Sequence, residues 1–175
     1  MEFISPEYIR QPLVIPNDPL FQGSFFGGSQ SYLFDGTFSA QAPDAWDITT
    51  GSESSVIAIV DTGVTSHPEL TDRSVPDIGF DFVSADSPGD FTGANDGDGR
   101  DADPSDPGDH CLGGASSWHG TEIASVAGAQ ANDAQGIAGI DWNARLLHAR
   151  ALGRCGGTDA DICLLYTSPS PRDRG

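Results

Sequence analysis

The sequence contains no lysine, and its eight basic residues are all arginines. Acidic residues number 26, so the formal net charge at neutral pH is −18. Affinity for nucleic acids and for anionic membrane surfaces comes from clustered Lys and Arg, so this charge balance argues against both kinds of partner. Long hydrophobic runs are also missing: the longest strongly apolar run, residues 56–60, is far shorter than the about 20 residues that a membrane span needs.

The two termini contain little that is typical of a complete natural gene product. Residues 1–7 include neither a basic region nor an apolar stretch, so no signal peptide is visible. Residues 163–173 can be reverse-translated into a DNA string that resembles a widely used transposase sequencing adapter. We therefore expect native sequence to end at about Ile162 and residues 163–175 to be a non-native tail. A short native tail rich in proline is the alternative.

Cysteine is scarce, with three residues in the chain. If Cys163 belongs to the non-native tail, Cys111 and Cys155 remain as an even pair that could form one disulfide. Two buried free thiols are the alternative. A zinc site is not favoured, because the sequence has no Cys-x-x-Cys pair, in which two residues separate the cysteines.

A chain of 175 residues is long enough for one domain with its own hydrophobic core. The continuous β-branched run 55–61 predicts a strand buried on both faces of a parallel sheet. Its alternation with helical and further strand patterns indicates an α/β domain. The other expected elements are a short helix at 42–48, a second strand at 77–83, a long acidic loop at 84–117, a helix at 119–131 and a third strand at 145–151.

Two polar residues stand where an α/β protein places its chemistry. Asp61 directly follows the first strand, and functional residues of such sheets lie beyond the carboxyl ends of the strands. His119 opens the predicted helix. Each alone has an ordinary structural explanation, turn capping for the aspartate and packing for the histidine. Together they can act as a carboxylate that orients an imidazole, which then takes a proton from a hydroxyl nucleophile.

The motifs around these two residues resemble those of subtilisin-like serine proteases. Segment 56–64, ending in Asp-Thr-Gly-Val, resembles the segment of the catalytic Asp, and Ser-Trp-His-Gly-Thr at 117–121 resembles that of the catalytic His. Gln-Gly-Ile-Ala-Gly-Ile at 135–140 and Arg-Ala-Leu-Gly at 150–153 match the family's segments after the catalytic His. Glu122 stands where the family usually has a second His, and a nearby carboxylate there would raise the pKa of His119.

The resemblance implies the N-terminal half of a three-layer α/β fold with a parallel sheet. Residues 1–15 resemble the end of an inhibitory propeptide, and 16–162 the first part of the catalytic domain. It further implies a secreted protein with protein or peptide substrates and its own propeptide as partners, and an upstream signal peptide. Gly156 and Gly157 fall in the region that pairs with the substrate backbone in this family.

The nucleophile motif of the family, Gly-Thr-Ser, does not occur after His119. We therefore expect the parent protein to be a serine endopeptidase and this chain to be inactive as written. One alternative is a non-catalytic calcium-binding or interaction module that descends from such a protease. A weaker alternative is an inhibitor-like fragment that acts through residues 1–15.

Residues 81–109 contain nine aspartates and one arginine. Calcium prefers several hard oxygen ligands, and glycines let a short loop turn carboxylates inward. The spacing of Asp96, Asp98, Asp101 and Asp103 therefore suggests a structural Ca²⁺ site, in line with the common use of Ca²⁺ in the resembled family. A solvated acidic loop is the alternative. The resemblance also places cysteines of a secreted subgroup near Cys111 and Cys155, which favours the disulfide and hence an oxidising compartment.

Overall fold

The computed structural model describes residues 14–22, 29–34, 36–75 and 79–167. In chain order its elements are α1 (Ser31–Phe34), α2 (Ala42–Trp46), β1 (Val56–Asp61), a 3₁₀ turn (Pro68–Leu70), β2 (Phe80–Asp81), α3 (His119–Gly128), β3 (Arg145–Arg150) and α4 (Asp159–Thr167). The long segment between β2 and α3 forms no helix or strand, as the sequence predicts.

The sheet has three parallel strands in the order β1–β3–β2. β3 comes last in the sequence but lies between the other two strands. Its full length pairs with β1, so that Asp61 lies opposite Arg150 at the carboxyl ends. This register places the end of β1 beside the start of the segment after β3. The predicted α/β class with a parallel sheet is confirmed.

Helix α3 covers one face of the sheet. Ile59, Leu70, Ala124 and Leu146 form a buried cluster between the strands, the 3₁₀ turn and this helix. On the opposite face, Val56 and Val60 are 55% and 47% exposed. The prediction that β1 is buried on both faces is therefore wrong for the described part of the chain, where α3 is the one helix that packs on the strands.

A second core forms around aromatic side chains outside the sheet. Phe21, Leu33 and Trp46 are buried together, and Trp142 packs on Trp46 with ring centroids 4.9 Å apart. The indole N–H of Trp46 donates to the carbonyl of Ile140 at 2.8 Å. This core connects the N-terminal segment to the connection between α3 and β3.

Several predictions on chain organisation concern residues outside the described ones. The proposed propeptide remnant, 1–15, falls almost entirely there, as do residues 168–175 of the proposed tail. Helix α4, which the sequence patterns did not predict, runs from Asp159 across Ile162 to Thr167. Among the described residues, no helix is long and apolar enough to cross a membrane.

Candidate active site

Asp61 is the last residue of β1, and its side chain turns into the structure toward α3. The residue is 7% exposed. Its Oδ1 accepts the backbone N–H of Thr62 at 2.7 Å, a bond that fixes the carboxylate against the turn after the strand.

His119 is the first residue of α3 and meets Asp61 across the turn. Its Nδ1 lies 2.8 Å from both carboxylate oxygens of Asp61. The preceding residue, Trp118, has a left-handed backbone with φ of 56°, which sets the direction in which the helix starts. The imidazole is 54% exposed, whereas the carboxylate is nearly buried. Nδ1 thus donates to a sheltered acceptor, and Nε2 is the ring nitrogen left to exchange protons.

The surroundings of His119 favour its protonated form. The hydrogen bond with Asp61 contributes most to a raised pKa of His119, followed by the negative charge of Asp61. Burial acts in the opposite direction, and the charges of Glu122 and Asp109 add smaller increases to the pKa. The charge of Glu122 thus raises the pKa of His119, as the sequence predicts. Such an imidazole is stabilised as an imidazolium once it has accepted a proton.

The contact between the turn and the helix depends on a glycine at position 120. A Cβ atom on Gly120 would lie 2.1 Å from the carbonyl oxygen of Gly63 and 3.2 Å from the Cβ of Asp61. No side chain fits in that space. Gly120 therefore lets the first turn of α3 approach the end of β1 closely enough for the Asp61–His119 hydrogen bonds.

Chemically, the arrangement suits a general base with a carboxylate that orients it. Asp61 holds the tautomer of His119 in which Nδ1 carries the proton, so that Nε2 can accept one. Among the residues that the structure describes, no serine, threonine or cysteine side chain bonds to the imidazole. The geometry fits a base and the group that orients it.

Comparisons with known proteins agree with this geometry. The model of the subtilase family, Peptidase S8, matches residues 52–171. This chain belongs to the subtilase family. A solved structure of a protease from Pseudoalteromonas arctica superposes with a TM-score of 0.71 at 38% identity, over 84% of this chain and 42% of that one. The subtilisin-like fold expected from the sequence is thereby confirmed.

Curated relatives extend well beyond the matched region. An extracellular basic protease from Dichelobacter nodosus is 33% identical over 93% of this chain and 27% of its own length. A thermophilic serine proteinase from Bacillus sp. (strain AK1) is 34% identical over 97% and 35%, respectively. The chain thus spans about a quarter to a third of the length of these two relatives. The family match reaches residue 171 and so overlaps the proposed tail, whose boundary at Ile162 stays a prediction.

Gly156 and Gly157, the predicted substrate-binding residues of this subtilase, lie in a tight turn between β3 and α4. Gly153 and Gly156 exchange backbone hydrogen bonds of 2.8 and 3.1 Å, and Gly156 has a φ of 111°. A Cβ on Gly157 would lie 2.3 Å from the carbonyl of Ala151. The turn itself therefore accounts for both glycines, and their role toward substrate stays a prediction.

Cys111 and Cys155 form a disulfide. It joins the end of the acidic loop to the turn after β3, where the side chain of Arg154 also donates to the carbonyl of His110 at 3.1 Å. The predicted pairing is thus present, and the alternative of two free thiols does not hold. Cys163 is an exposed free cysteine.

The four aspartates proposed for calcium do not come together. Asp96 pairs with the guanidinium of Arg150, while Oδ1 atoms of Asp101 and Asp103 accept backbone N–H groups two residues further on. Asp98 donates its backbone N–H to Asp96. Within the described ranges, no three His, Cys, Asp or Glu side chains are arranged to hold a metal ion.

A fully buried arginine, Arg150, supplies a positive charge to this loop. The guanidinium of Arg150 bonds to the carboxylates of Asp81 and Asp96 and to the carbonyl of Ala94. Arg150 and Asp81 are 0% and 1% exposed. Because burial penalises its charged form, the pKa of Asp81 rises to about 7. The sequence analysis did not predict these ion pairs of Arg150, although a charged residue within an apolar strand pattern was a usable signal for a buried partner.

Proposed function

We propose that this chain carries the Asp and His of a secreted serine endopeptidase. Asp61 orients His119 and stabilises its imidazolium, and His119 removes the proton from a serine hydroxyl that attacks a peptide carbonyl. The two 2.8 Å distances between His119 Nδ1 and the Asp61 carboxylate carry this proposal. General-base catalysis of this kind contributes about 10²–10⁴ to the rate.

The remainder of the catalytic machinery is proposed to lie outside these 175 residues. No Gly-Thr-Ser segment follows His119 in the sequence. The relatives that the chain resembles are named as serine or extracellular proteases, and each is much longer than the matched region. By itself the chain is therefore proposed to hydrolyse no peptide, while its parent protein acts on proteins or peptides.

Secretion is supported by two observations. Relatives from Dichelobacter nodosus and Xanthomonas campestris are named as extracellular proteases. The Cys111–Cys155 disulfide is the second, because such bonds persist in oxidising compartments. A signal peptide and an inhibitory propeptide upstream of this sequence belong to the same proposal, and the propeptide is then a partner of the cleft.

Substrate contact is proposed at the turn that carries Gly156 and Gly157. An extended peptide can add to an exposed backbone edge through main-chain hydrogen bonds, with side-chain pockets setting specificity.

Structural calcium stays a prediction from the composition of the acidic loop. The separation of Asp96, Asp98, Asp101 and Asp103 gives it no support, so no step of the proposed chemistry depends on a metal.

The decisive experiment begins with the parent DNA, sequenced past the codon of Ile162. A reading frame that continues into a Gly-Thr-Ser segment supports the proposal, and the longer product is then expressed. In that product, Asp61→Asn is expected to lower kcat on a peptide substrate by about 10⁴, and His119→Ala by about 10⁶. His67→Ala serves as the control, because the exposed His67 only caps the 3₁₀ turn.

Two results would overturn the proposal. The first is a genomic stop codon after Gly175, which would favour the non-catalytic module. The second is a longer product whose Asp61→Asn variant hydrolyses peptides as fast as the unmodified protein. The 175-residue chain itself is expected to give no hydrolysis of casein above that of its His119→Ala variant.

A further inference from the structure

The first turn of α3 receives its cap from outside the helix. The N-cap residue, Trp118, makes no side-chain cap hydrogen bond. The backbone N–H of Gly120 instead donates to the side-chain hydroxyl of Thr62 at 3.0 Å, and this bond is buried. Free N–H groups at a helix start need such an acceptor. The turn after β1 thus caps the helix that carries His119.

The hydroxyl proton of Thr62 forms a hydrogen bond with a third segment, the acidic loop. It is donated to Oδ2 of Asp106 at 2.7 Å, and Oδ1 of Asp106 accepts the N–H of Gly108 at 2.7 Å. Asp106 is 7% exposed, although it belongs to the acidic loop. Its backbone N–H also donates to the carbonyl of Val64 at 3.0 Å. The loop is therefore anchored to the turn at this position.

These bonds give the Thr62 hydroxyl one orientation. Because a hydroxyl has a single proton, its donation to Asp106 leaves the lone pairs for the N–H of Gly120. Thr62 directly follows Asp61, and Gly120 directly follows His119. The relay therefore connects the two residues adjacent to the Asp61–His119 pair.

We propose that Asp106 and Thr62 are positioning residues that hold His119 against Asp61. A carboxylate of the acidic loop fixes the hydroxyl of Thr62, and this hydroxyl fixes the start of α3. The inference rests on the proposed role of the Asp61–His119 pair. The test of this inference measures the protonation of His119 and not hydrolysis. The inference can therefore fail while the proposed function stands, and the proposed function can fail while the inference stands.

The test uses the full 175-residue chain at sub-micromolar concentration. Diethyl pyrocarbonate modifies neutral imidazole, so the pH dependence of its reaction at His119, followed by mass spectrometry of peptides, reports the pKa. The variants are Thr62→Val, Asp106→Leu and Thr62→Ser. Thr92→Val is the matched control, because Thr92 also donates to an aspartate, Asp90, but on an exposed turn away from α3.

Loss of the relay is expected to weaken the Asp61 hydrogen bond that raises the pKa of His119. Thr62→Val and Asp106→Leu should therefore lower the midpoint of His119 modification by about half a pH unit or more, toward the ordinary value near 6.5. Thr62→Ser keeps the hydroxyl and should keep the midpoint, as should Thr92→Val. The other charges near His119, on Glu122 and Asp109, are the same in every variant.

An unchanged midpoint in Thr62→Val and Asp106→Leu would overturn the proposal. So would a variant in which buried His148 reacts as fast as His119, because that outcome would show general unfolding and assign Thr62 a structural role. Protection of His148 together with a lowered midpoint at His119, restored in Thr62→Ser, is the supporting result.

Discussion

Replacing Arg150 by methionine should strongly destabilise the protein and loosen the acidic loop. The arginine is fully buried, and its guanidinium is the positive partner of Asp81 and Asp96. Methionine fills a similar space but leaves two carboxylates without that partner. Removing one partner of a buried ion pair costs about 3–5 kcal/mol, a large fraction of the stability of an average domain.

The pH dependence of this loss is set by the pKa of Asp81. Burial raises this pKa to about 7 even with the arginine in place, and loss of the guanidinium raises it further. At about pH 5 the carboxyl of Asp81 can take up a proton, which removes the cost of an unpaired charge. The difference in unfolding free energy between Arg150→Met and the original chain should therefore be larger at about pH 8 than at about pH 5.

Urea unfolding followed by pulse proteolysis at low concentration measures these differences. Arg145→Met is the matched control, because Arg145 lies on the same strand with an exposed side chain. It should change stability by no more than about 0.5 kcal/mol. A triple variant that also carries Asp81→Asn and Asp96→Asn should recover much of the loss. If Arg150→Met costs no more than Arg145→Met, the buried ion pairs do not hold the loop.

Three further predictions concern other parts of the structure. Replacing Cys111 and Cys155 by serine should lower the unfolding free energy by about 4 kcal/mol, because the disulfide closes a loop over 44 positions and so restricts the unfolded chain. Urea midpoints under non-reducing conditions measure this loss, and equal midpoints would contradict it. Burial lowers the pKa of His148, so stability falls as pH drops from about 6.5 toward this lowered pKa, because the unfolded chain takes up a proton first. His148→Gln should remove that part of the fall when urea midpoints are compared across this range. Burial, with the charges of Asp133 and Asp18, raises the pKa of Glu69 to about 7, so stability falls as pH rises from about 4.5 to 7. Glu69→Gln should abolish up to about 3 kcal/mol of that fall, as read from urea midpoints at the two ends of this range.

Local signals in the sequence were enough for the main elements. The β-branched run before Asp61 predicted β1, and the helical spacing of apolar residues after His119 predicted α3, because these patterns depend on neighbours along the chain. The exposure of Val60 could not be predicted this way. An apolar residue in a strand indicates only that its side chain can be buried, while the layer that covers it is contributed by other parts of the chain.

The acidic loop shows the same limit more strongly. Its composition predicts a structural Ca²⁺ site, which stays a prediction. The cation that the structure shows beside Asp96 is Arg150, a residue of β3 that is 54 positions away. Asp106 belongs to the same run of aspartates but bonds to Thr62, 44 positions away. Nothing in the spacing of the aspartates distinguishes these two from Asp98 or Asp103. Only the packing of the loop against the sheet decides which carboxylates are buried.

The sequence by itself therefore determined the α/β class, the identity of the Asp61–His119 pair as a candidate and the pairing of Cys111 with Cys155 as one of two options. Those features rest on residue types and on motifs that are short along the chain. The tertiary structure alone decided the 2.8 Å contact of the pair, the cap from Thr62 and the partner of Asp96. Hydrogen bonds and ion pairs act over a few ångströms, and residues far apart in the sequence reach that distance only when the chain has folded.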